Sequence, residues 1–137
     1  MTRVWGGRSL ETIYGRALPD GQPYGESWEL TDREGEESIV ASGPFQGRSL
    51  HTLWTDHREE VFGSRLPATD RFPLLIKILD ACDDLSIQVH PPAAVADELG
   101  GEAKTEMWFI AAAAPGAKLY VGLKDGTTRE QFEAAIE

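Results

Sequence analysis

The sequence predicts a mainly β fold of the jelly-roll type with a few short helices, and three observations predict it. Glycine and proline punctuate short apolar runs along most of the chain, the pattern of strands joined by turns. Residues 85–91, Leu-Ser-Ile-Gln-Val-His-Pro, alternate strictly, so Ser86, Gln88 and His90 share one strand face and Leu85, Ile87 and Val89 the other. In Lys104-Thr105-Glu106-Met107-Trp108-Phe109 the same period turns Lys104 and Glu106 to one side and Met107 and Phe109 to the other. A double sheet that gathers the polar faces of its strands around an interior site accommodates all three.

The elements follow in order. Residues 5–70 carry a turn at Pro19-Asp20-Gly21, an acidic stretch over residues 31–37 and a short strand at residues 38–41. Leu50, Leu53 and Trp54 then recur at helical spacing, in a pattern that ends near Val61-Phe62. Strands are expected at residues 72–80 and 86–90. Helix formers after a proline start occupy residues 92–99, and Gly100-Gly101 stops them. Residues 106–112 and 118–123 read as a hairpin around Ala114-Pro115-Gly116. Thr127-Thr128-Arg129-Glu130 reads as a capping box, opening a last helix with Phe132, Ala135 and Ile136 on one face. We read residues 1–137 as a single domain with no internal boundary.

Composition narrows the function classes. With 137 residues, 41% hydrophobic residues and four tryptophans the chain can bury a real core, which argues against disorder. A net charge of −10 argues against nucleic acid as a partner, because such proteins need a basic face to displace counterions. The same charge requires that any anionic substrate find a local cationic pocket, for which Lys77 and Lys104 are the candidates. No apolar run approaches the ~18 residues that span a bilayer, and residues 1–7 lack a signal-peptide core, so the expectation is a cytoplasmic protein without a membrane partner. One cysteine, Cys82, excludes an internal disulfide and fits a reducing compartment.

The two alternating stretches offer an imidazole, an amide oxygen, a carboxylate, an ammonium and a hydroxyl. Neutral imidazole with oxygen donors suits zinc or a neighbouring first-row ion. From spacing alone, a polar outer strand face is the better account of Gln88 and His90. His51 and His57 sit in the helical stretch and read as solvated helix residues rather than ligands.

Leu-Ser-Ile-Gln-Val-His-Pro followed by Lys-Thr-Glu-Met-Trp resembles the signature of type I mannose-6-phosphate isomerases, the phosphomannose isomerases of the cupin superfamily. Gly25-Glu26-Ser27-Trp28-Glu29, Gly43-Pro44 with Gly47 and Ser49-Leu50, Pro73-Leu74-Leu75-Ile76-Lys77 and Pro115-Gly116-Ala117-Lys118-Leu119-Tyr120-Val121-Gly122 fall in the same order. The likeness runs from about Trp5 to the end, and at this length the chain resembles the N-terminal half of those enzymes.

The resemblance implies a cupin-type jelly roll, a partial double-stranded β-helix, and a zinc ion held by Gln88, His90 and Glu106. A fourth ligand, a histidine further downstream in the family, has no counterpart among residues 107–137. The implied chemistry is metal-assisted interconversion of mannose 6-phosphate and fructose 6-phosphate through an enediol. Ser86, Lys77 and Glu26 then look toward the substrate. Glu106 and His90, bound to the cation, leave the proton shuttle to another group. Lys104, two residues from Glu106 on the same strand face, is the candidate catalytic residue, placed to shuttle a proton or hold an oxygen. The alternative is a non-catalytic cupin-like module that binds metal or sugar. Half of a double sheet could also expose an unpaired edge, which invites self-association.

Overall fold

A computed structural model describes residues 1–19 and 21–136, so Asp20 of the expected Pro19-Asp20-Gly21 turn lies outside the described residues. The chain forms two compact units, Met1–Gln88 and Val89–Glu137. The helices are few and short and the sheet is small.

The first unit contains β1 (Thr2–Gly7), α1 (Ser9–Thr12), β2 (Glu26–Leu30), α2 (Leu50–Asp56), α3 (Arg58–Phe62) and β3 (Ile76–Leu79). Neither β1 nor β2 stood out in the sequence as a strand, although Glu26, Trp28 and Leu30 do alternate with Ser27 and Glu29. Strands β2 and β3 pair antiparallel, with Glu26 opposite Leu79, Ser27 opposite Ile78 and Trp28 opposite Lys77, and the register slips between Trp28 and Leu30. Strand β1 lies against this pair through bridges from Thr2 to Tyr24 and from Gly6 to Ala81, and the Cys82 N–H donates to the Trp5 carbonyl at 2.8 Å. The approach is close enough to demand glycine. A Cβ on Gly25 would stand 2.5 Å from the Trp5 ring, and one on Gly6 would stand 2.5 Å from the Gly25 nitrogen.

The expected helical stretch divides at His57, which ends α2 and precedes α3. Ser49 caps α2 by accepting from the Thr52 N–H at 3.1 Å. Leu50, Leu53 and Trp54 are buried, as their spacing requires. Trp54 is the centre of this core. It meets Phe62 and Phe72 edge-on at centroid separations of 5.3 and 5.4 Å, and its indole N–H donates to the Thr69 carbonyl at 2.9 Å.

Two strand expectations in this unit are corrected. Residues 38–41 form only an isolated bridge between Ile39 and Ser49. The strand expected over residues 72–80 contracts to Ile76–Leu79, because Pro73 has no N–H to give and the Phe72 N–H is taken by the Asp32 carboxylate at 2.8 Å.

The second unit contains α4 (Arg129–Ile136). Its cap is shifted by one residue from the expected box. Thr128 Oγ1 accepts from the Gln131 N–H at 3.3 Å and the Gln131 amide oxygen accepts from the Thr128 N–H at 3.0 Å, while Thr127 Oγ1 donates to the Lys124 carbonyl instead. The helix expected at residues 92–99 is reduced to turns, closed by bonds from Leu99 N–H to Val95 and from Gly101 N–H to Ala96. The strand expected at residues 86–90, which crosses the boundary between the units, is absent. Of the expected hairpin only the turn forms, with the Ala117 N–H donating to the Ala114 carbonyl at 3.0 Å; residues 106–112 and 118–123 are not in strands. Strand formation needs a partner at distance in sequence, and alternation alone does not supply one.

Candidate active site

Strand β2 carries Glu26 and Trp28 two residues apart, hence on one face, and β3 sets Lys77 directly across from Trp28. The Glu26 carboxylate is buried within this trio. One oxygen accepts from the Trp28 indole N–H at 2.8 Å and lies 3.8 Å from Lys77 Nζ; the other accepts from Arg3 Nε at 2.9 Å. Burial pushes the Glu26 carboxyl up, but the Trp28 and Arg3 hydrogen bonds and the Lys77 and Arg3 charges together outweigh it and hold the group below its ordinary value. Glu26 is therefore a fixed anion at neutral pH. A cavity of about 350 Å³ opens beside it, lined among others by Arg16, Tyr24, Ser27 and Trp28.

Of the residues singled out from sequence, Glu26 and Lys77 thus meet. Lys104 Nζ and a Glu106 oxygen also meet, at 2.8 Å. Gln88 Nε2 donates to Ser86 Oγ at 3.4 Å, a long contact between exposed side chains. His90 Nε2 is buried with no hydrogen-bond partner, a costly arrangement for a ring nitrogen with a lone pair or proton to place. Of the three proposed metal ligands, Gln88 closes the first unit, while His90 and Glu106 belong to the second. Among the described residues no three of His, Cys, Asp or Glu are grouped to hold an ion.

Sequence reasoning missed two features. Arg3 and Trp28 fix Glu26; the period of two could have revealed Trp28, but Arg3 is 23 residues away and left no local signal. Asp32, from the acidic stretch, is buried and accepts from the Phe72 N–H at 2.8 Å, with His51 Nδ1 at 3.2 Å and Arg71 Nη1 at 3.4 Å. His51 is accordingly tied to a buried carboxylate rather than simply solvated. His57 contacts Glu60 at 3.1 Å and the Phe45 ring at 4.6 Å.

A short antiparallel pair thus presents a fixed carboxylate beside an amine, and the segment that follows carries one imidazole, His90, one amide, Gln88, and the carboxylate of Glu106. Residues 1–107 match the family model for the catalytic domain of phosphomannose isomerase type I, and the chain belongs to that family. It is 41% identical to the probable mannose-6-phosphate isomerase GmuF of Bacillus subtilis over 98% of this chain and 42% of that protein. It is 40% identical to mannose-6-phosphate isomerase ManA of the same organism over the same shares, and 40% identical to a Streptococcus mutans mannose-6-phosphate isomerase over 98% of this chain and 41% of that one. The crystal structure of the mannose 6-phosphate isomerase from Bacillus subtilis superposes with a TM-score of 0.62 at 40% identity, covering 72% of this chain and 30% of that one. The chain therefore spans about two fifths of the length of the curated relatives it matches.

Proposed function

We propose that this chain is the N-terminal part of an isomerase interconverting mannose 6-phosphate and fructose 6-phosphate, built as one cupin-type jelly-roll domain whose remaining strands lie in the portion its relatives have beyond it. The observation that carries the reading is Glu26, a buried carboxylate held ionised by Arg3 and Trp28 against Lys77 within the Gly-Glu-Ser-Trp motif. Lys77 offers the substrate a cation in a chain of net charge −10, and Ser86 offers a hydroxyl. Glu26 accepts from sugar hydroxyls.

Gln88, His90 and Glu106 are the residues that would hold a zinc ion, and the unpartnered His90 Nε2 together with two oxygen donors fits such a group. When bound, the ion supplies Lewis-acid stabilisation of negative charge on the sugar oxygens. Lys104 is the candidate shuttle, taking a proton from C2 as the enediol forms and returning it to C1 as the enediol collapses, while the hydroxyl proton passes from O2 to O1. A single free cysteine and a charged metabolite as substrate support a cytoplasmic location. The other reading is a module that binds metal or sugar without turnover.

Turnover of mannose 6-phosphate and metal content by mass spectrometry decide between them, measured on this chain and on its fusion to the remainder of ManA. In the fusion, Lys104→Met should keep the metal and lower turnover by roughly 10²–10⁴-fold, the usual contribution of an acid–base group, whereas Glu106→Ala should lose both. Metal binding without turnover in the fusion would leave the non-catalytic module; an unaltered rate in Lys104→Met would return Lys104 to a structural role.

A further inference from the structure

A carboxylate turns easily about its last side-chain bond, and one that contacts a ligand is effective only when that rotation is stopped. Glu26, 7% exposed, is stopped from two sides. Trp28 donates to one oxygen at 2.8 Å, and Arg3 donates through Nε to the other at 2.9 Å. The two donors differ in kind. Trp28 sits two residues along the same strand and keeps its place wherever β2 forms, whereas Arg3 reaches Glu26 only while β1 lies against residues 24–26. The backbone makes that approach: the Gly25 and Glu26 N–H groups donate to the Met1 carbonyl at 3.1 and 3.4 Å, and the Arg3 N–H donates to the Pro23 carbonyl at 3.4 Å. It also requires glycine at position 25, where a Cβ would stand 2.7 Å from the Arg3 Cβ and 2.5 Å from the Trp5 ring.

We propose that Arg3 is a positioning residue for Glu26: delivered by β1 across Gly25, its guanidinium aims the carboxylate at the sugar hydroxyls. The proposal rests on the reading of Glu26 as a substrate contact, and it gives a role to a strand and a glycine outside the residues expected to meet the substrate. Arg3 directs its remaining nitrogens to the Thr2 carbonyl at 3.3 Å and to Met1 Sδ at 3.6 Å, so its donors are engaged within the protein. The other charges around the carboxylate are Lys77 on β3, the Met1 amine, which donates to the Glu26 carbonyl at 2.6 Å, and Arg16 and Glu36 at the edge of the cavity. Lys77, at 3.8 Å, supplies charge but no hydrogen bond, so it does not replace Arg3 in setting the angle of the carboxylate.

Two measurements test this. The first is the titration of the Glu26 carboxyl carbon, followed by carbon-13 NMR in the 137-residue chain, which needs no substrate. Arg3→Met should move that titration upward, because a hydrogen bond and a charge that favour the anion are both lost, and Arg3→Lys, which keeps the charge, should move it less. Gly25→Ala should move it upward with the guanidinium still present, and amide protection of α2 reports in each variant that the first unit is folded. The second is the dissociation constant of mannose 6-phosphate, read from chemical-shift changes in the fusion to the ManA remainder. It should rise about tenfold in Arg3→Met, as expected for the loss of a hydrogen bond to a charged group, and by less in Arg3→Lys. An unmoved Glu26 titration in a folded Arg3→Met or Gly25→Ala chain overturns the proposal, and so does an unchanged dissociation constant in Arg3→Met. If Gly25→Ala loses the protection of α2, the two Arg3 variants decide alone. Turnover is a separate readout. A fusion that binds mannose 6-phosphate without converting it counts against the isomerase reading only, whereas a fusion that does not bind it overturns the substrate role of Glu26 together with the proposal.

Discussion

The two units of this chain received similar sequence signals and used them differently. In Met1–Gln88, short strands found partners within the unit: β2 pairs with β3, β1 bridges to both flanks, and Trp54, Phe62 and Phe72 close a small aromatic core. In Val89–Glu137, the strand patterns at residues 106–112 and 118–123 left only their turn, and the unit's one regular element among the described residues is helix α4. The difference is whether a partner strand lies within the unit. A helix closes its hydrogen bonds within itself, whereas a strand is only as stable as the strand beside it.

The largest expected effect breaks the self-sufficient unit. Trp54→Ala removes an indole that is 1% exposed, its bond to the Thr69 carbonyl and the ring under Arg58, whose guanidinium carbon sits 4.0 Å from the ring centroid. Tryptophan truncations in cores cost about 3–5 kcal/mol, against a total of ~5–15 kcal/mol for an ordinary domain. Denaturant titration followed by tryptophan fluorescence should therefore show the first unit largely unfolded in mild denaturant, while α4 amide exchange is unchanged. Loss of α4 protection at the same midpoint would show that the two units unfold as one.

A smaller loss is expected at the Asp32 cluster. Asp32→Ala leaves the Phe72 N–H and the neighbouring His51 and Arg71 without their common acceptor, which at one buried hydrogen-bonded carboxylate costs about 1–3 kcal/mol. The midpoint of thermal unfolding should fall, and Asp32→Asn, which keeps an acceptor oxygen, should recover part of it. An unshifted midpoint in Asp32→Ala would mean that residues 71–72 are anchored by something other than this carboxylate.

These two sites also mark how far the sequence could be read. Glu26 and Lys77 were singled out separately and their pairing was not foreseen, whereas Leu50, Leu53 and Trp54 announced their helix because amphipathic spacing is local. Lys104 and Glu106 met for a similar reason, being two residues apart. The clamp from Arg3 and the burial of Asp32 were invisible, because both depend on which distant segments the fold brings together. Strands at residues 106–112 and 118–123 were legible as sequence and absent as structure for the same physical reason.

A third effect is confined to acid. Because the folded-state pKa of Glu26 lies below its ordinary value of 4.5, its ionised form stabilises the fold fully above that value, and the contribution fades as pH falls through the lower, folded-state value. Glu26→Gln should thus flatten the acid limb of stability against pH, while its effect at neutral pH should not vary with pH. Identical acid limbs for the two proteins, measured by denaturant midpoint, would remove Glu26 as a source of the linkage.

The smallest expected effect sharpens the comparison from the other side, because it concerns the one element of the second unit that needs no partner. Helix α4 has no buried residue among those described, so its stability is local and rests heavily on its cap. Thr128 Oγ1 accepts from the Gln131 N–H, and the bond from the Thr128 N–H to the Gln131 side chain completes a reciprocal pair. The Glu130 carboxyl, held below its ordinary value by its own backbone N–H and by Thr128, adds a negative charge at the positive end of the helix. Thr128→Ala should cost about 1 kcal/mol of helix stability, the usual worth of an N-cap. In an eight-residue helix that is enough to fray the first turn, visible as faster exchange at Phe132 and Glu133 with no change in the unfolding midpoint of the first unit. If the same substitution left those amides unchanged in the fusion with the ManA remainder, the helix would have gained tertiary support there, and the second unit as a whole would owe its order to that partner.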